Sequence, residues 1–275
     1  MSGATVEITG RTRLLALIAD PVAQARSPAA VNRLLAERGR SGELVMVAMK
    51  VAPAGLADAV AGLRAIESFA GAVVSMPHKE TIVPLLDGLT EEAALTRVVN
   101  VFRREQDGRF IGTILDGEGF VAGLRAAGHE VRGARCLLVG AGGAATAIAF
   151  RLARERCGEL VIVNRTTARG EALAARVRAG FPDVPVGATA SADASRGFDL
   201  AINATSLGMN ASDPLPIPLD VVRRTRLVAE CVAAAEITPL LAAARDAGRA
   251  IHTGIPMLTS QLELLVDFLT GSARS

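Results

Sequence analysis

The chain has 275 residues, half of them apolar and about a fifth charged, and its 30 basic and 28 acidic side chains leave a formal net charge of +2. That length can bury one large core or two modest ones, and charges so nearly balanced supply no strong field for recruiting nucleic acid or an anionic membrane. With no Trp and no Tyr, every mechanism that needs a phenol is excluded. Cys136, Cys157 and Cys231 are scattered without a C-x-x-C spacing, which argues for a reducing compartment and against a disulfide framework or a zinc site.

The first twenty-one residues, MSGATVEITGRTRLLALIADP, lack the design of a secretory signal. No apolar run approaches the roughly 18 residues of a membrane helix, so the expected location is the cytoplasm. From there, strand-length apolar runs alternate with stretches of helical period, the mark of βαβ units around a parallel sheet. The expected class is α/β in two domains.

In the first part, strands are expected at LLALIAD (14–20), ELVMVAMKV (43–51) and GAVVSMP (71–77). Helices are expected after Ser27-Pro28, through GLADAVAGLRAI (55–66) and through ETIVPLLDGL (80–89). Ser27 suits an N-cap and Pro28 a first helical turn. VVNVFRREQDGRFIGTIL (98–115) reads as two strands joined by a turn at Asp107-Gly108, at an edge or a domain border. After Asp116 comes a helix, GEGFVAGLRAAG, and then a second alternating series with strands RCLLVG, ELVIVN, FDLAINAT and RLVAECV. The tail from Gly254 is an amphipathic helix ending at Gly271. The expected division is residues 1–115, completed by 254–275, and residues 116–253.

The strand RCLLVG runs into GAGGAATAIAFRLA, which sets Gly140, Gly142 and Ala145 at the spacing of the dinucleotide fingerprint. The first glycine permits the tight turn, the second lets backbone approach a pyrophosphate, and the small third residue lets the helix pack closely. The competing reading is a glycine-rich turn that binds nothing. At the end of the next strand a carboxylate would favour NAD and a basic residue NADP; the residues here are Asn164, Arg165 and Thr166, with Arg169 behind. Two guanidiniums can grip a phosphate with forked donors, so NADP is the expected cofactor.

Several separated motifs together resemble the shikimate dehydrogenase family, whose members reduce 3-dehydroshikimate with NADPH. They are SMPHK at 75–79, VVN at 98–100, an Asp sixteen residues after Asn100, GAGGAA, NRTTAR, NATSLGM, TPLL, and G-x-x-M-L-x-x-Q from Gly254 to Gln261. The resemblance implies a substrate-binding domain followed by a Rossmann-like NADP domain, with domain closure over the ligands. It implies that Lys79 is the acid/base and Asp116 its charge partner, and that Ser27, Ser75, Asn100 and Gln261 bind substrate. It assigns Gly140, Ala141, Gly142, Gly143, Ala144, Asn164, Arg165, Thr166 and Arg169 to the cofactor. Thr205, Met209 and Gly254 match cofactor positions as well, although simple core packing also accounts for Met209. The partners implied are a small molecule and the cofactor, with no metal, in a monomer or homodimer serving aromatic amino acid biosynthesis. His78 is read as structural; His129 and His252 carry no signal.

The pattern breaks at the substrate carboxylate. The family holds it with serines spaced S-x-S and a tyrosine; here Ser27 survives, while Ala25 and Ala233 replace the others. Hydroxyl bonds to a charged group are worth about a kcal/mol or more each, so their joint loss could weaken shikimate binding roughly a hundredfold. Ile114-Leu115 and Val73 also make the surroundings more apolar than the family pattern. The expectation is a related cyclic or polyhydroxylated alcohol, with Arg26 either a replacement clamp or a solvated loop residue. A non-catalytic module that senses NADP or a metabolite is the alternative from a different class. Retention of both Lys79 and Asp116 counts against it. There is no G-x-S-x-G elbow or P-loop to suggest a hydrolase or transferase.

Overall fold

A computed structural model describes residues 7–23, 25–233 and 235–271. Its contacts divide the chain into two units, one of residues 1–115 with 262–275 and one of residues 116–261.

The first unit runs β1 (Arg13–Ala19), α1 (Ser27–Glu37), β2 (Leu44–Lys50), α2 (Leu56–Ala65), β3 (Phe69–Val74), β4 (Gly88–Leu89), α3 (Glu91–Thr96), β5 (Val101–Arg104) and β6 (Phe110–Thr113). Its six strands lie in the order β2-β1-β3-β5-β6-β4. β1 pairs in parallel with both β2 and β3, while β5 runs antiparallel between β3 and β6. The continuous apolar runs of β1 and β3 are what a parallel strand covered on both faces requires. One core cluster joins Leu15 and Leu17 to Val31 and Leu35 of α1, Met46 of β2 and Val266 and Leu269 of the C-terminal segment. Phe69, Phe102 and Phe110 form another, with ring centroids 5.1–6.0 Å apart.

Two expectations need correction in this unit, and one helix is additional to them. Ser27 is the first helical residue of α1, not its cap; Arg26 holds the cap position and no side chain caps the helix, though Pro28 does sit in the first turn. ETIVPLLDGL forms no α-helix but a single 3-10 turn at Val83–Leu85 followed by the short β4. Pro84 lacks a backbone donor and disfavours helix at the residue before it. Extended pairing supplies the partners instead, since Asp87 N donates to Phe110 O at 2.9 Å and Phe110 N to the Asp87 carboxylate at 2.7 Å. The helix α3 was not read from the pattern. Thr90 caps it, accepting from Ala93 N, and Glu91 and Glu92 fill its first turn, the arrangement that favours a helix N-terminus.

The second unit runs α4 (Asp116–Ala126), β7 (Arg135–Val139), α5 (Gly143–Arg154), β8 (Glu159–Val163), α6 (Thr167–Gly180), β9 (Val186–Thr189), β10 (Leu200–Asn203), α7 (Leu219–Arg224), β11 (Leu227–Glu230), α8 (Pro239–Asp246), β12 (Ala250–His252) and the first part, to residue 261, of α9 (Ile255–Thr270). Its six strands are all parallel, in the order β9-β8-β7-β10-β11-β12. Counted from β7, the first three strands step outward one way and the next three the other. The direction therefore reverses between β7 and β10, the switch point at which open α/β sheets bind ligands. The edge strands β9 and β12 were not read from the sequence, being short and partly exposed.

Residues 255–261 of α9 pack within this second unit. A Cβ on Gly119 would stand 2.5 Å from Met257 O and 2.8 Å from the Gln261 side chain, so glycine is what lets α4 lie directly against α9. Among the described residues no helix is long and apolar enough to cross a membrane.

Candidate active site

In the first unit, backbone bonds gather the expected residues at the C-terminal ends of β1 and β3. Ser75 N donates to Ile18 O at 2.9 Å, Asp20 N to Met76 O at 3.0 Å, and Val74 N to Asn100 O at 2.7 Å. Val99 N donates to Lys79 O at 2.9 Å. The turn that carries Ser75 and Lys79 is thereby laced to the strand that presents Asn100. Asn100 is buried, and its Oδ1 accepts from Leu115 N at 2.9 Å. Ser27 opens α1 at the end of the connection leaving β1. His78 is fully buried with Nε2 2.7 Å from Val51 O, a role in holding the turn that matches its structural reading.

The wall nearby is apolar where the sequence departs from the family pattern. Ala25 and Leu115 pack half-buried against the core cluster that contains Val73. Arg26 beside them is exposed.

In the second unit, Gly140 N donates to Val163 O and Ala204 N to Val139 O, both at 2.8 Å, so the glycine-rich turn and the turn after β10 flank the switch point. Gly140 has φ +119°, and a Cβ there would meet Ala204 O at 2.8 Å. Gly142, the cap of α5, has φ −91° and open space where a Cβ would be, and no side chain caps the helix. Ala141, Gly143 and Ala144 complete the turn, leaving uncapped backbone donors at a helix N-terminus, which suits a pyrophosphate. At the end of β8, Asn164 Nδ2 donates to Thr166 O at 2.8 Å, while exposed Arg169 reaches back to Ala141 O at 3.4 Å. Arg165 is exposed beside it. The guanidinium of Arg169 thus stands next to the glycine-rich turn, and the residues present fit a phosphorylated dinucleotide.

Thr205 and Met209 lie on the turn after β10. Thr205 donates its hydroxyl to Asn203 Oδ1 at 2.7 Å and accepts from Leu207 N at 3.1 Å, and Met209 N donates to Ser206 O. Gly254 follows β12 with the backbone of Val232 and Cys231 against the position of its missing Cβ. Asp116 and Gln261 are both buried, on α4 and α9.

Reading the sequence assigned no role to Asn203, Glu230 or Thr238, all fully buried around the turn after β10, although NATSLGM and TPLL contain two of them. The available signal was a carboxylate inside the otherwise apolar run RLVAECV.

A parallel sheet with a glycine-rich turn at its switch point and arginines at the end of the next strand defines a dinucleotide-binding α/β protein. Comparison with known proteins narrows the class. Residues 17–102 match the family model "Shikimate dehydrogenase substrate binding domain" and residues 124–206 match "Shikimate / quinate 5-dehydrogenase". The chain is 40% identical to shikimate dehydrogenase (NADP(+)) of Rubrobacter xylanophilus over 263 residues, covering 92% of this chain and 89% of that one. The crystal structure of shikimate 5-dehydrogenase from Thermus thermophilus, in complex with NADP(H) and shikimate, superposes with TM-score 0.81 at 27% identity, covering 96% and 95% of the two chains. The ligand-free 5-ketofructose reductase of Gluconobacter sp. strain CHM43 does so with TM-score 0.81 at 30% identity, covering 97% and 96%. The chain belongs to the shikimate dehydrogenase family.

Proposed function

We propose that this chain is an NADP-dependent dehydrogenase that transfers hydride between nicotinamide and a ring hydroxyl or ketone of shikimate or a related cyclic polyol. The observation that carries the reading is the pairing, in one chain, of a switch-point dinucleotide turn with Lys79 and Asn100 laced together at strand ends of the other unit. NADP, when bound, supplies the hydride acceptor; everything else falls to the side chains.

An alcohol that loses hydride must also lose its hydroxyl proton, and a neutral Lys79 amine can accept it. Asp116 is the carboxylate that holds the resulting ammonium and keeps the lysine oriented. Asn100 and Gln261 can each donate and accept, which suits neighbouring ring hydroxyls, and Ser27 and Ser75 add hydroxyl donors. Arg165 and Arg169 bind the phosphate that distinguishes NADP from NAD. The first unit is the substrate domain and the second the cofactor domain. The apolar setting of Ala25 and Leu115 supports a substrate that depends less on carboxylate anchoring than shikimate does. The likeness to a 5-ketofructose reductase supports that reading.

The test is oxidation of shikimate, quinate and neutral cyclic polyols by the purified protein with NADP and separately with NAD, followed by nicotinamide absorbance, beside Lys79→Ala. NADP-dependent turnover lost in the variant supports the reading. NADP binding without turnover of any polyol would support the sensor instead.

A further inference from the structure

Beneath the turn after β10 lies a buried carboxyl that the reaction just described does not use. Glu230, the last residue of β11, is fully buried, as are Asn203 at the end of β10 and Thr238 at the cap of α8. Asn203 Nδ2 lies 3.5 Å from Glu230 Oε2 and donates to Leu207 O at 2.8 Å. Asn203 Oδ1 accepts from both the backbone N–H and the hydroxyl of Thr205, at 3.0 and 2.7 Å. The Thr238 hydroxyl oxygen accepts from Leu241 N at 3.3 Å, and Thr238 stands near enough to the Glu230 carboxyl to pull its pKa down. Gly208, at φ +98°, passes directly over Glu230, the position of its missing Cβ being 4.0 Å from Oε2.

We propose that Glu230 is a positioning residue for the cofactor: it fixes the turn Ala204–Met209 through Asn203, so that the turn's backbone stands at the switch point in the form the nicotinamide end requires. The inference rests on the cofactor reading above. Three features argue for this role over plain packing. A buried carboxyl costs stability unless it is fully hydrogen-bonded, and Glu230 Oε1 is buried with no hydrogen-bond partner. Burial pushes its pKa up, against the opposing pull of Thr238 and Asn203. Its hydrogen bond runs to Asn203, which holds Thr205 in the turn bordering Gly140, where an added Cβ would strike Ala204 O. A leucine would fill the same volume without that desolvation cost, so the carboxyl is retained where an apolar residue would pack better.

The test compares Glu230→Leu and Glu230→Gln in the full chain, with NADPH affinity read from the fluorescence of NADPH itself, since the chain has no Trp or Tyr. Thermal stability and kcat are measured alongside. Leucine keeps the volume, and Asn203 keeps its bond to Leu207 O, so the variant should fold with a Tm no lower than the wild type. Its Kd for NADPH should rise about fivefold or more, the effect of losing one or two buried bonds that order the turn. Glutamine, which keeps an acceptor in place, should return affinity to within about twofold of the wild type. A leucine variant with wild-type Kd and kcat, or a glutamine variant as impaired as the leucine one, overturns the inference. Failure of the wild-type chain to bind NADPH overturns the cofactor reading and this inference with it.

Discussion

Two glycines in the same turn should respond oppositely to the same methyl group. At Gly140, φ is +119° and an added Cβ would stand 2.8 Å from Ala204 O, 3.0 Å from Ala204 C and 3.3 Å from Thr205 Cγ2. Backbone held in such a region costs an L-residue of order 1–3 kcal/mol, and forcing apart β7 and β10 adds overpacking of about the same size. The sum, about 2–6 kcal/mol, is a large part of the roughly 5–15 kcal/mol by which domains are stable. At Gly142, φ is −91° and nothing lies within 4 Å of the new carbon. Alanine there leaves stability unchanged or raises it by about 0.4–1 kcal/mol through the unfolded chain, yet it fills the space that the proposed cofactor reading gives to a pyrophosphate. Urea denaturation followed by circular dichroism, with NADPH titration on the same samples, separates the two. Gly140→Ala should lower the midpoint sharply. Gly142→Ala should keep the midpoint and weaken NADPH binding about tenfold or more, the cost of losing close backbone donors to a charged group. Equal loss of stability in both variants, or wild-type NADPH affinity in Gly142→Ala, would refute the assignment of this turn to the cofactor.

Other expected outcomes follow from the same geometry. Lys79→Met should lower kcat by about a hundredfold to ten-thousandfold, the usual worth of a positioned acid or base, with NADPH affinity unchanged by titration. Replacing Arg165 and Arg169 together by alanine should weaken NADP by roughly tenfold to a hundredfold while leaving NAD unaffected, because bonds to a phosphate are charge-assisted; equal losses for both cofactors would place the phosphate elsewhere. Ala25→Ser should improve the KM for shikimate about fivefold, one hydroxyl bond to a carboxylate, and leave that for a neutral polyol unchanged. Burial holds the His252 pKa below its ordinary value of 6.5, with a smaller push from His129 in the same direction. The neutral form is the one the fold favours, so this contribution is fully present above about pH 6.5 and fades as pH falls toward the lower folded value. His252→Leu should accordingly flatten the acid-side decline in Tm relative to the wild type; identical slopes would show that His252 is not the group responsible.

The wild-type substrate is the point at which sequence and structure bear on each other most directly. The losses at Ala25 and Ala233 are visible as letters, but a lost hydroxyl can be replaced by a neighbouring donor. The setting of Ala25 and Leu115 against the apolar cluster around Val73 gives the loss a physical meaning, since apolar side chains there offer a charged group no hydrogen bond of their own.

The sequence alone determined the α/β class, the hairpin of β5 and β6, and the dinucleotide turn, because period, turn chemistry and glycine spacing are local properties of the chain. It also supplied the candidate chemistry-bearing residues, through motifs whose order along the chain is specific. The tertiary structure decided what depends on remote partners. Residues 80–89 carry a helical pattern, yet Pro84 and pairing with β6 make them a turn and a strand. The edge strands β9 and β12 exist because a sheet is there to receive them, not because their own residues demand it. Glu230 is the clearest case. As a letter in RLVAECV it resembles an exposed acid, and only the packing of β10, β11 and α8 buries it beneath the turn that carries Thr205 and Met209.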